Sequence, residues 1–185
     1  MHKMDWKYRI GKRKRKNSNR VKGFKRRYSG LRTIKNIDEY LFEIKETVLE
    51  ELQTHIQTDG VELAGVLTGS IINDKHYRIC KISPVCSQYT TSSRTSCQRN
   101  AQIANEFILS DFEESNHKRI YIGEWHTHPE DTPTPSGIDI NSIATLAQQG
   151  HDNLVGLFLI IIGRKSIYYG IHDGISLHRI TPIII

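Results

Sequence analysis

The chain has 185 residues, 37% of them hydrophobic, which is enough for one core and one domain. Its net charge of +6 is unevenly spread, because residues 1–36 carry 15 Lys/Arg against a single acid, Asp5, and residues 37–185 carry a net −8. Three cysteines, Cys80, Cys86 and Cys97, are odd in number and form no CxxC pair, which argues against a disulfide framework or a structural zinc ribbon and for a reducing, cytoplasmic setting.

The start, MHKMDWKYRIGKRKRKN, is basic but precedes no apolar stretch of signal-peptide length, so it does not read as a secretory signal. Lys12 to Arg15 form an unbroken basic block and Arg20 to Arg27 add more, with only isolated aromatics between them. Such a segment repels itself and has no apolar periodicity, so residues 1–36 are expected to be a basic, disordered tail. It is a candidate for nucleic acid or another acidic partner, since Lys and Arg displace counterions from phosphates; the plainer reading is a solubilising or docking tail.

The domain is expected over residues 37–185. Ile37, Leu41, Ile44, Val48, Leu52 and Ile56 recur every three or four residues and predict a helix from an Asp38 N-cap to a stop at Gly60. VELAGVLTGSI and HYRICKISPV, split at Asn73-Asp74-Lys75, predict a hairpin of core strands. Residues 87–97 read as a polar loop, and Ile103, Phe107 and Ile108 predict a second helix ending near Ser110. The strand RIYIGEWHTHP follows. Pro129, Pro133 and Pro135 then keep the chain non-helical until Ser136, an N-cap for a helix that stops at Gly150. LVGLFLIII, SIYYGIH and ISLHRIT are three further strands; the first holds the most apolar run of the chain, about half the length a membrane helix needs, so no membrane span is expected. This mixed order suits an α+β or α/β sheet flanked by helices.

His126 and His128, two residues apart on a strand, project from one face, about 7 Å apart along the backbone, so two imidazoles can close on one ion. Asp139 comes eleven residues later, in the first turn of the predicted helix, where it can swing back over the strand end. Two neutral nitrogens and a carboxylate oxygen match a catalytic zinc site with a fourth position kept for water. That water needs a base to take its proton and pass it to a leaving amine. Glu62 is the candidate, a charged residue in a predicted core strand. Ser136 can donate to the oxyanion formed as water attacks a carbonyl, although capping alone would also explain it.

Glu62, then His126-Thr127-His128, seven residues, and Ser136-Gly137-Ile138-Asp139 fit E-x(n)-H-[ST]-H-x7-S-x-x-D at every fixed position. The chain therefore resembles the JAMM/MPN+ (JAB, Mov34-type) metalloproteases, whose members remove ubiquitin or ubiquitin-like proteins from targets. The resemblance covers about residues 37–180 and implies an α+β, cytidine-deaminase-like sandwich: a curved mixed sheet with one helix at its start and another carrying the aspartate. It implies one Zn2+ per chain on His126, His128 and Asp139, Glu62 as base, Ser136 as oxyanion donor, and attack by zinc-bound water. The wording GEWHTHPEDTPTPS is similar to a bacterial subgroup, the deconjugating peptidases of CBASS antiphage operons. Partners implied by that likeness are a ubiquitin-like modifier and its conjugates, a nucleotidyltransferase, and a fused activating and conjugating enzyme.

Glu124, two residues before His126 and on its face of the strand, competes with Glu62 for the role of base and is otherwise a group that orients a ligand. Arg94, Ser96 and Arg99 are open candidates for a substrate channel, and Cys97 for a quiet thiol. Other functions stay open at this level. One is release of sulfur-carrier or small conjugates. Another is a non-enzymatic MPN scaffold, which would lack the ligands this chain retains. A third is a nucleic-acid-associated role like that of RadC-type relatives, which resemble HNHPSG rather than HTHPED, so that Thr127 and Glu130 argue against membership.

Overall fold

A computed structural model describes residues 33–86, 99–149 and 154–185. The basic tail up to residue 32 and the predicted polar loop, with Arg94, Ser96 and Cys97, lie outside the described residues.

The predicted first helix is in fact three elements. A single 3-10 turn, Ile37–Glu39, is followed by strand β1, Leu41–Ile44, and only then by helix α1, Glu46–Gln53. The three-to-four spacing spliced together two different periods. Phe42 and Ile44 are buried at the strand period of two while Leu41 is exposed; Val48 and Leu52, buried at i and i+4, carry the helical face. Each of the last two contributes about 1.5–3 kcal/mol by leaving water. Upstream, Ile34 is buried in the same core, its N–H donating to Asp173 Oδ2 at 3.0 Å, so packed chain reaches back at least to residue 34.

The predicted hairpin forms as β2, Ala64–Asn73, and β3, His76–Ile82. Helix α2, Ala101–Glu114, is capped by Asn100 and runs one turn beyond Ser110. After it come β4, Ile120–Thr127, α3, Gly137–Gln148, β5, Leu157–Ile162, β6, Ile167–His172, and β7, Leu177–Arg179. A two-residue strand that the sequence did not announce, β8 (Ile183–Ile184), pairs with β1. Among the described residues eight strands form one mixed sheet in the order β7-β6-β5-β4-β2-β3-β1-β8. Among the described residues no helix is long and apolar enough to cross a membrane.

Both faces of the sheet are covered, so β5 reads as a continuous apolar run rather than an alternation. Phe158, Ile160 and Ile162 pack with Val48 and Leu52 of α1; Leu159 and Ile161 pack with Ala104 and Ile108 of α2 and Ile143 and Ala147 of α3. In β4, Ile122 and Trp125 face the α1 side although they are three apart. A bulge explains this: the β2–β4 register slips between Leu67 and Thr68, opposite Gly123. A side chain on Gly123 would meet Phe158 O at 2.2 Å, and the backbone there sits at φ +158°. The bulge sets the phase that turns Glu124 and His126 toward α3, the face opposite Trp125.

The parallel pair β4 and β5 fixes where the site forms. Parallel neighbours need a crossover, here α3, whose first turn therefore starts at the carboxyl end of β4, where His126 and His128 lie.

Candidate functional site

His126 is the penultimate residue of β4. His128 follows the strand's end but is still held in the ladder by its N–H bond to Ile162 O at 2.9 Å. Their Nε2 atoms face each other at 3.2 Å, and both rings are buried. Asp139 arrives from α3 with Oδ1 3.4 Å from His126 Nε2 and Oδ2 3.4 Å from His128 Nε2. These three are the one group of possible metal ligands found among the described residues. The spacings are long for charge-assisted hydrogen bonds, which run about 2.7–2.9 Å. With one ligand atom taken from each residue, the three lie within 4.8 Å of one another and can close on a single ion; the 3.2 Å between the two Nε2 atoms is near the roughly 3.3–3.4 Å edge of a tetrahedron with zinc spokes of about 2.0–2.1 Å.

Asp139 is pre-set by its own helix. Its Oδ2 accepts from Ser136 N at 2.7 Å while Asp139 N donates to Ser136 Oγ at 3.2 Å, a reciprocal capping box. Ser136 thus caps α3 as an acceptor, which leaves its hydroxyl hydrogen to donate elsewhere.

Glu62 does not sit in a strand, as expected, but two residues before β2 begins. The ladder pairs Ala64 with His126, and Thr127 N–H continues it to Leu63 O at 2.9 Å, which brings Glu62 level with His128. Glu62 Oε1 is 3.8 Å from His128 Nε2. Glu124 is also buried on this face, but it accepts from Tyr121 Oη at 3.2 Å and is ion-paired with Arg99. A cleft of about 70 Å³ opens beside the centre, lined by Ala64, Arg99, Glu124, His126, Ile138 and Asp139 among others. Of the three channel candidates, Arg99 is the one that falls within the described residues, and it lies in this cleft.

The electrostatics follow from burial and from the one acid among two bases. Burial pushes the Glu62 carboxyl up to about 7, with Asp139 and Glu130 adding to the rise and His128 opposing it. Burial also lowers His126, outweighing Asp139. For His128 burial is outweighed by the nearby Asp139 carboxylate together with the charges of Glu62 and Glu130, and the net shift is upward. Asp139 is itself held well below the usual carboxylate range, because both histidines overcome the desolvation that would raise it.

One neighbour was missed by sequence reasoning. Glu130 places Oε2 3.8 Å from His128 Nδ1, the ring nitrogen that points away from the ion position. Its spacing of two residues from His128 was a usable signal, since imidazole ligands are commonly oriented through their second nitrogen.

Residues 45–171 match the family described as prokaryotic homologs of the JAB domain. Three curated relatives carry the name CD-NTase/cGAS isopeptidase. The protein from Escherichia coli (strain TW11681) is 33% identical over 139 residues, 74% of this chain and 85% of its own length. That from Pseudomonas aeruginosa (strain BWHPSA011 / Pa011) is 27% identical over 72% of this chain and 84% of its own. That from Vibrio cholerae serotype O1 (strain ATCC 39315 / El Tor Inaba N16961) is 35% identical over 59% and 66%.

Proposed function

Starting from the premise that this chain belongs to the prokaryotic JAB-domain family, we propose that it is a zinc-dependent isopeptidase that removes a ubiquitin-like modifier from a protein target. Supporting the target class are the relatives' names, CD-NTase/cGAS isopeptidase, which agree with a CD-NTase as the protein released. The observation that carries the chemistry is the convergence of His126, His128 and Asp139, one ligand atom from each lying within 4.8 Å of the others, with Glu62 beside them.

A zinc ion held by these three residues supplies Lewis acidity, bringing a water's pKa down toward about 7. Everything else falls to the chain. Glu62, held beside the metal position, takes a proton from the attacking water as its oxygen bonds to the carbonyl carbon of the modifier's last residue. The Ser136 hydroxyl donates to the carbonyl oxygen as negative charge grows there. Glu62 then returns the proton to the lysine nitrogen as the C–N bond breaks, leaving a carboxylic acid and an amine, and transfer of the acid's proton to the amine gives carboxylate and ammonium. Glu124, tied to Arg99 and Tyr121, shapes the cleft wall rather than serving as base.

The test is to load the full chain with zinc and offer it a ubiquitin-like modifier joined through its C-terminal carbonyl to a lysine of a CD-NTase. Release of both intact proteins is the expected result. Zinc uptake with no cleavage of that conjugate, but with turnover of sulfur-carrier or small amino-acid conjugates, would replace this reading with a small-conjugate hydrolase.

A further inference from the structure

We propose that Gln57 and Thr127 are positioning residues that hold Glu62 at the metal centre, Gln57 acting through the hydroxyl of Thr127. This rests on the reading of Glu62 as the base. Thr127 stands between the two histidines and is fully buried. In an antiparallel ladder a hydrogen-bonded pair exchanges two N–H···O=C bonds. Thr127 and Leu63 make one of them, Thr127 N to Leu63 O at 2.9 Å, but Leu63 N donates to Thr127 Oγ1 at 3.0 Å instead of to a carbonyl. The hydroxyl has replaced main chain in the ladder. That sets the start of β2 at Ala64 and releases Glu62, two residues earlier, from strand geometry without releasing it from β4.

The hydroxyl is in turn fixed from behind. Thr127 Oγ1 donates to Gln57 Oε1 at 3.0 Å, and Gln57 Nε2 donates to Gly60 O at 3.1 Å. Gln57 is 3% exposed, in the segment between α1 and β2. Its amide spans the turn, with an acceptor for Thr127 at one atom and a donor for Gly60, itself at φ +77°, at the other. Glu62 is therefore suspended between two tethered residues, Gly60 and Leu63, both referred back to one threonine between the metal ligands. Only an amide of this length serves both ends: glutamate has no donor for Gly60 O, and leucine has neither group.

The experiment uses the zinc-loaded full chain with Gln57→Leu, Gln57→Glu, Thr127→Val and Thr127→Ser, each alone and combined with Glu62→Ala. The expected result for Gln57→Leu and Thr127→Val is one zinc per chain, an unchanged KM, a kcat lower by about 10–100-fold, and faster amide exchange at Leu63. Thr127→Ser, which keeps the hydroxyl, should return kcat to near the parent value, and Gln57→Glu should fall between. In the Glu62→Ala background neither Gln57→Leu nor Thr127→Val should lower the residual rate further. A full additional loss in that background, or an unchanged kcat in both single variants, would overturn the proposal. Should the parent protein cleave no isopeptide conjugate, it is the functional reading that fails. The positioning claim is then decided by a crystal structure of Gln57→Leu, and Glu62 still 3.8 Å from His128 in it would overturn that claim.

Discussion

Glu62 Oε1 stands 3.8 Å from His128 Nε2, close enough to share a bound molecule between carboxylate and metal but outside direct hydrogen-bonding range. Replacing Glu62 by alanine should therefore leave zinc content unchanged and lower kcat by about 10²–10⁴-fold, the usual worth of a general base. Elemental analysis alongside steady-state cleavage checks this. Full activity in Glu62→Ala with a dead Glu124→Ala would transfer the role of base to Glu124.

Removing a ligand should act differently. His126→Ala, His128→Ala and Asp139→Asn each leave two donors, too few to keep a zinc ion through dialysis, so both metal and activity should go together. For the parent protein a chelator should abolish cleavage and added zinc should restore it, at a stoichiometry of one per chain.

Zinc uptake should weaken on acidification. His128 is raised above its ordinary value of 6.5, so it begins to bind a proton above pH 6.5, and each proton must leave before the ring can ligate. His126 is lowered and Asp139 is held ionised, so neither competes in that window. Equilibrium dialysis against a fixed concentration of free zinc should find occupancy falling as pH is lowered from 8 to below 6. Occupancy that does not change over that range would refute this.

Glu130 should tune the metal without holding it. Glu130→Ala removes the carboxylate beside His128 Nδ1, and zinc affinity measured against a chromophoric chelator should fall about 10-fold. Gly163→Ala should act in the same direction from a distance, because its Cβ would meet Pro133 Cδ at 2.4 Å and Glu130 O at 2.8 Å and displace the loop that carries Glu130.

Away from the site, Asp111 is 2% exposed and accepts from Thr68 at 2.6 Å, Arg119 at 2.5 Å and Lys81 at 3.0 Å. Burial alone would raise its pKa, but these partners prevail and bring it to about 2 from 3.8. A depressed carboxylate contributes stability that is present above its unfolded value and is lost as pH falls toward its folded value. Urea titrations should thus show that the parent loses on the order of 2 kcal/mol more than Asp111→Asn between pH 4 and pH 2. Equal losses in the two proteins would contradict the assignment.

The candidate cluster was readable because its spacing is local: His126 and His128 lie at the end of one strand, and Asp139 opens the crossover helix that must start where that strand ends. The hairpin and α3 were equally plain, since turn and capping chemistry is written within a few residues. The segment after Asp38 was misread because Leu41 and Ile44, three apart, satisfy a helical template even though β1 buries only the second of them. Thr127 fills a fixed position of the motif, but its contacts with Leu63 and Gln57 carried no local signal, because those partners are 64 and 70 positions away across the fold. β8 was missed because its isoleucines are exposed and its pairing with β1 depends on a register that no local pattern encodes.

The reciprocal bonds between Ser136 and Asp139 have a thermodynamic corollary. A carboxylate on a free side chain would have to surrender rotational freedom each time an ion arrived, whereas here that freedom is already gone once α3 has coiled. For an ion held by Asp139, affinity would thus be tied to the integrity of the helix start, and fraying of the first turn of α3 would register as faster metal escape before any loss of secondary structure became visible.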